Sequence, residues 1–128
     1  MIGNWCVSLL IAVALAACGR GGAAALDEPI QLAPGEWANF KTEDLEVRFA
    51  GIAEDSRCPN DVACVWAGQV VVQFTLRRNS RNKDVLVKES QGLAVDGYRI
   101  SILQVLPARA SSGPLPPADY RVTLKITR

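Results

Sequence analysis

The stretch DSRCPNDVACVWAG, residues 55–68, holds the two thiols in this chain that are best placed to do chemistry. Cys58 and Cys64 are spaced C-x5-C, which differs from the C-x-x-C spacing of thiol oxidoreductases. A structural zinc ion needs four ligands, and two thiolates in a chain without histidine fall short of that number unless subunits share a site. The spacing therefore predicts neither a redox centre nor a metal site, and we expect no cofactor.

The absence of histidine also limits catalysis, because it excludes Ser-His-Asp and Cys-His mechanisms. Neither Ser-x-x-Lys nor Gly-x-Ser-x-Gly is present. The acids near the thiols lack the every-second-residue spacing of an EF-hand: Glu54, Asp55 and Asp61. A second acidic group could serve a histidine-free, carboxylate-based hydrolase, although a solvated strand edge explains it better: Glu43, Asp44 and Glu46. We predict no catalytic residue and keep the hydrolase as the alternative.

Four positive charges fall within seven residues: Arg77, Arg78, Arg81 and Lys83. A soluble hairpin tip is the commoner reason for such a run, and the functional interpretation is a binding surface for an anionic lipid or glycan, or for an envelope protein. The net charge of the whole chain is only +1, which argues against nucleic acid as a partner.

The N-terminus begins with an apolar run, CVSLLIAVALAA, that is too short to span a bilayer and suits the core of an export signal. The first five residues carry no Lys or Arg, unlike most export signals. The run ends in LAAC, which resembles the lipobox of bacterial lipoproteins. That resemblance implies removal of residues 1–17 and acylation of Cys18, which would become the membrane anchor. Gly19 lacks the aspartate of the inner-membrane retention rule, so we expect the periplasmic face of the outer membrane.

The lipobox resemblance also implies how the four cysteines are used. Of the four cysteines, Cys6 leaves with the signal and Cys18 carries the lipid, so Cys58 and Cys64 remain for a disulfide in an oxidising compartment. The glycine-rich residues 18–28 predict a flexible tether. Residues 29–128 then form a single domain of ordinary size.

Period-two alternation of apolar and polar residues recurs along this domain and predicts half-buried antiparallel strands. The strands are expected at residues 36–40, 45–52, 69–77, 84–88, 98–106 and 120–127, after an extended opening at 29–33. Residues 89–95 show little pattern and are expected to form a loop. This arrangement predicts an all-β fold, a small antiparallel β-sandwich of immunoglobulin-like type, with a small closed barrel as the alternative.

The motif DSRCP-x4-C-x-WAG, followed by alternating valines, resembles a family of small bacterial lipoproteins and exported proteins of unknown function. The resemblance implies a compact β domain and brings no activity with it. The best interpretation is a non-enzymatic envelope lipoprotein that binds a partner or serves as an accessory subunit. Within it, the cysteine loop is expected to have a structural role, with Trp66 buried against the disulfide and partners bound by other loops.

Overall fold

The computed structural model describes residues 23–59, 62–108 and 115–128, which form two four-stranded antiparallel sheets packed face to face. The signal segment and Cys18 lie outside the described residues, as do Asn60 and Asp61. The strands in chain order are β1 Ile30–Leu32, β2 Trp37–Phe40, β3 Leu45–Asp55, β4 Val70–Arg78, β5 Arg81–Lys88, β6 Leu93–Val95, β7 Tyr98–Leu106 and β8 Arg121–Thr127. Short 3-10 turns lie at Lys41–Glu43 and Pro117–Asp119.

The first sheet has the strand order β2-β3-β4-β5 and the second has the order β1-β8-β7-β6. Among the described residues the two sheets do not close into a barrel. The predicted small β-sandwich is therefore confirmed over its barrel alternative. The chain order is mostly a meander, whereas an immunoglobulin constant domain groups its first, second, fifth and fourth strands in one sheet.

The core between the sheets consists of the apolar side chains that alternate along the strands. On β4 the inward side chains are Val70, Val72, Phe74 and Leu76, and on β8 they are Val122, Leu124 and Ile126, all buried. Phe49 and Phe74 are register partners whose ring centroids lie 6.2 Å apart. Full burial of such a side chain contributes about 1.5–3 kcal/mol, so this layer supplies the main stabilisation of the fold.

Two tight turns shape the hairpins. Asp96 and Gly97 both have positive φ between the paired residues Val95 and Tyr98, the geometry of a tight hairpin turn. Asn79 and Ser80 make a similar turn, so β5 begins at Arg81, before the expected start of that strand at residue 84. The loop predicted at 89–95 contains the short strand β6, which the sequence analysis missed.

The strand register gives the sandwich two distinct ends. At one end, which we call the hairpin end, lie the turns 41–44, 79–80 and 96–97 together with Arg128. At the other, the loop end, lie the ends of β3, β5 and β7 and the starts of β4, β6 and β8, with the described parts of the connections between them.

The chain enters at the hairpin end. Ala23 forms a parallel bridge with Asn39, Ala24 and Leu26 pack against the core, and the Asp27 amide donates to the carbonyl oxygen of Ile126 at 2.9 Å. Residues 23–28, which the sequence suggested as the outer half of a tether, are thus attached to the sandwich.

Candidate functional site

The loop between β3 and β4 is closed by the disulfide Cys58–Cys64, whose Cα atoms are 5.9 Å apart, so the predicted pairing is confirmed. Backbone hydrogen bonds continue the ladder into the base of the loop. The Ser56 amide donates to the Gln69 carbonyl at 2.8 Å, and the Cys58 amide donates to the Ala67 carbonyl at 3.2 Å. The loop is therefore a narrow, covalently closed extension of the hairpin.

Gly68 is required at the base of this loop. Its φ is +70°, and a Cβ atom there would collide with the carbonyl oxygen of Ser56. An exposed polar network lies beside Gly68. The Ser56 hydroxyl donates to one carboxylate oxygen of Glu54, and the Gln69 side-chain amide donates to the other. The glycine thus lets the two strands of the loop approach closely enough for these bonds.

A partly buried ion pair fixes the loop to the rest of the loop end. The Arg57 guanidinium donates to both carboxylate oxygens of Asp55, with N–O distances of 2.9 Å each. It also donates to the Val105 carbonyl at 3.2 Å and the Pro107 carbonyl at 3.1 Å. The Tyr120 hydroxyl donates to Asp55 at 2.7 Å. One arginine therefore connects the disulfide loop to the end of β7 and the proline-rich connection.

The Asp55 side chain is only 6% exposed, and its pKa reflects two opposing influences. Burial acts to raise the pKa, but hydrogen bonds from Arg57 and Tyr120 and the positive charge of Arg57 outweigh it and lower the pKa from 3.8 to about 2. The same carboxylate raises the pKa of Arg57. Asp55 is thus a permanent anion at neutral pH with both oxygens occupied, unsuited to act as a general acid.

This pKa predicts an acid-sensitive contribution to stability. Because the folded-state pKa is the lower one, the stabilisation is complete above the unfolded value near 4 and is lost as the pH falls toward 2. We expect Asp55 to account for a loss of about 2 kcal/mol in the free energy of unfolding between pH 6 and pH 2. Urea titrations should show this loss in the unaltered protein and in the exposed-acid control Asp119→Asn, but not in Asp55→Asn. An identical pH dependence in all three proteins would contradict the assignment.

The tip of the loop is apolar and faces solvent. Val65 is 92% exposed, Trp66 is 82% exposed and Val62 is 45% exposed. The prediction that Trp66 is buried against the disulfide is wrong. The narrow hairpin base carries the loop beyond the core, and among the described residues no side chains cover the indole.

A groove of about 360 Å³ lies at the base of the disulfide loop, between it and the β5–β6 connection. Gln69 and Glu89 form its polar sides, Ile102 contributes an apolar wall, and the edge of Arg57 reaches it. Together the tip and the groove form the loop-end surface, where exposed apolar side chains stand next to a few polar groups.

Strand alternation divides the four predicted basic residues between two faces. Arg77 lies on the outer face of its sheet, where it bonds to Glu46 at 3.1 Å and lies 4.2 Å from the ring centroid of Trp37. The remaining three, Arg78, Arg81 and Lys83, line a depression of about 760 Å³ at the hairpin end. Asp96 also lines it, 3.7 Å from Lys83.

The acidic residues proposed for a hydrolase lie beside cations and a tyrosine hydroxyl. Glu43 accepts hydrogen bonds from the Tyr98 hydroxyl and pairs with Arg128, and the first of these bonds raises the pKa of Tyr98. Asp44 and Glu46 line a shallow depression of about 330 Å³ together with Lys41 and Arg77. Within residues 23–59, 62–108 and 115–128, no three Cys, Asp or Glu side chains are grouped so that they could hold a metal ion.

Sequence reasoning missed the buried network because its members are far apart in the chain. Asp55 and Tyr120 are separated by 65 residues, and only the three-dimensional fold brings them together. One signal was available: in the predicted strand 120–127, Tyr120 falls on the same face as Val122 and Leu124, and a buried tyrosine hydroxyl needs a hydrogen-bond partner.

No family model, curated protein or solved structure matches this chain. No helix in the part of the chain that the structure describes is long and apolar enough to cross a membrane.

Proposed function

We propose that this chain is an exported, lipid-anchored, non-enzymatic binding module whose recognition element is the tip of the disulfide loop. The observation that carries the proposal is the 82% exposure of Trp66 on a loop whose backbone is held in place. This replaces the expectation that the loop has only a structural role.

Three features make the tip suitable for binding. A large aromatic side chain buries much apolar area when a partner covers it, and tryptophan is enriched among residues that dominate binding energy. The disulfide, Gly68 and the Arg57–Asp55 pair restrict the loop before any partner arrives. A restricted loop loses less conformational entropy on association, which favours tight binding.

The proposed anchor is Cys18, on the periplasmic face of the outer membrane, and the lipobox-like LAAC and the following Gly19 support this proposal. We expect protein extracted from membranes to lack residues 1–17 and to carry an acyl increment, as measured by intact-mass spectrometry. A Cys18→Ser variant should lose the increment. An unmodified Cys18 on mature protein from the native host would contradict the anchor.

The recognition element can be tested by photo-cross-linking in intact cells. A photoreactive residue replacing Val65 should give an adduct that contains peptides of a second protein. The same residue replacing Leu86, which is 58% exposed on the outer face of β5, is the matched control and should give no such adduct. Equal adducts from both positions, or none from position 65, would contradict the proposal.

No observation favours the hydrolase. The one strongly perturbed carboxylate, Asp55, is held as an anion by Arg57 and Tyr120, and Asp44 and Glu46 share their depression with two cations. A carboxylate catalyst needs one acid kept protonated near neutral pH, which is the opposite of the environment of Asp55.

A further inference from the structure

We infer that the tip of the disulfide loop points away from the membrane that anchors the chain, so that its partner is a protein standing off that membrane and not the lipid surface. The inference rests on the lipid anchor and the recognition element proposed above, and it adds the direction of the tip and the class of partner.

The first observation is where the chain enters the sandwich. Ala23 lies beside Asn39 at the hairpin end, and Asn39 is paired with Glu46 near the start of β3. The disulfide loop begins after Asp55, at the other end of the same strand. At about 3.3 Å per residue, these two levels of β3 are about 25–30 Å apart. Trp66 lies beyond the farther level, because the base of its loop continues the ladder past Asp55.

The second observation is the short length of chain available between the anchor and the sandwich. From Cys18 to Ala23 the chain spans at most about 18 Å, whatever its conformation. Because residues 23–28 are attached to the sandwich, they add nothing to this reach. Ala23 is therefore kept within about 18 Å of the anchored residue, and in an upright domain the tip is carried at least about 25–30 Å farther from the bilayer than Ala23.

The third observation is the placement of charge. The depression at the hairpin end has three cations, Arg78, Arg81 and Lys83, against the single acid Asp96. At the loop end, Arg57 is neutralised by Asp55, and the acids Glu54 and Glu89 at the base of the disulfide loop are offset by Lys88 and Arg121. Anionic lipids therefore attract the hairpin end more strongly than the loop end, which favours an upright domain.

The partner that fits this tip is a protein with an apolar recess able to take Trp66 and Val65, and with basic groups at its rim to face Glu54 and Glu89. A lipid surface would also accept the indole, but its negative charge offers no counterpart to the acids at the base of the loop.

Fluorescence quenching in vesicles tests the orientation. After loss of residues 1–17, Trp37 and Trp66 are the only tryptophans, so lipidated Trp37→Phe protein reports on Trp66 alone. The matched control also carries Trp66→Phe and has its reporter introduced by Lys41→Trp, at an exposed position in the hairpin-end turn. Both proteins are reconstituted in phosphatidylcholine–phosphatidylglycerol vesicles, with and without a nitroxide on the lipid headgroups.

We expect the quencher to leave the emission of Trp66 unchanged and to reduce that of the reporter at position 41. Quenching at both positions would overturn the inference and make the lipid surface the occupant of the tip, and quenching at neither position or at Trp66 alone would also overturn it. Intact mass is recorded on the same samples. An unlipidated Cys18 would contradict the proposed anchor itself, whereas quenched Trp66 on lipidated protein would contradict only the orientation.

Discussion

Replacing Arg57 with alanine is expected to lower the free energy of unfolding by about 2–4 kcal/mol, more than any single change at the tip of the loop. The Asp55 carboxylate is 6% exposed and would keep its charge at neutral pH while losing two of the hydrogen bonds that solvate it. The carbonyls of Val105 and Pro107 would lose their donor as well. For a domain of this size such a loss lowers the melting temperature by about 10–20 °C.

Urea unfolding at pH 7 measures this effect directly. Arg57→Lys is the informative second variant, because an ammonium group keeps the charge but cannot form the two parallel bonds of the guanidinium, and it should fall between alanine and the unaltered protein. Lys88→Ala removes an exposed cation from β5 and should stay within about 0.5 kcal/mol of the unaltered protein. Equal stabilities for Arg57→Ala and Lys88→Ala would show that the ion pair does not hold the loop end together.

Replacing Trp66 with alanine is expected to weaken partner binding strongly while leaving the stability of the domain almost unchanged. The 82% exposed indole makes little contribution to the core, so stability should change by no more than about 0.5 kcal/mol. Affinity for the partner should fall by about 30-fold or more, the effect of losing an aromatic residue worth at least 2 kcal/mol at the centre of an interface. Reduction of the Cys58–Cys64 disulfide should weaken the same binding by loosening the loop.

The sandwich could be predicted because its core strands each bury one face. Val122, Leu124 and Ile126 on β8 alternate cleanly with less buried residues, and the Asp96–Gly97 turn has the residue types that a tight hairpin needs. The short strand β6 was missed because three residues give too little periodicity to recognise. Ala23 and Ala24 looked like tether because small side chains carry no pattern, yet their backbone joins the sheet edge.

The site was harder to predict than the fold. The disulfide followed from counting thiols, but the exposure of Trp66 did not follow from its type, because tryptophan is usually well covered. Trp66 is exposed because the base of the loop is narrow, with Gly68 packed against Ser56. This narrow base carries the tip beyond the sheets. The bond from Tyr120 to Asp55 depends on the packing of β8 near the end of β3, which no local pattern reveals.

The central claim, that the disulfide loop is the recognition element, is tested most directly by comparing partner recovery for two exposed apolar residues. Lipidated unaltered protein, Trp66→Ala and Leu86→Ala are each cross-linked in intact envelopes, and the recovered partner is quantified beside the melting temperature of each bait. The account predicts that all three baits melt at closely similar temperatures and that only Trp66→Ala loses the partner. Full recovery by Trp66→Ala, or equal loss by Leu86→Ala, would contradict it.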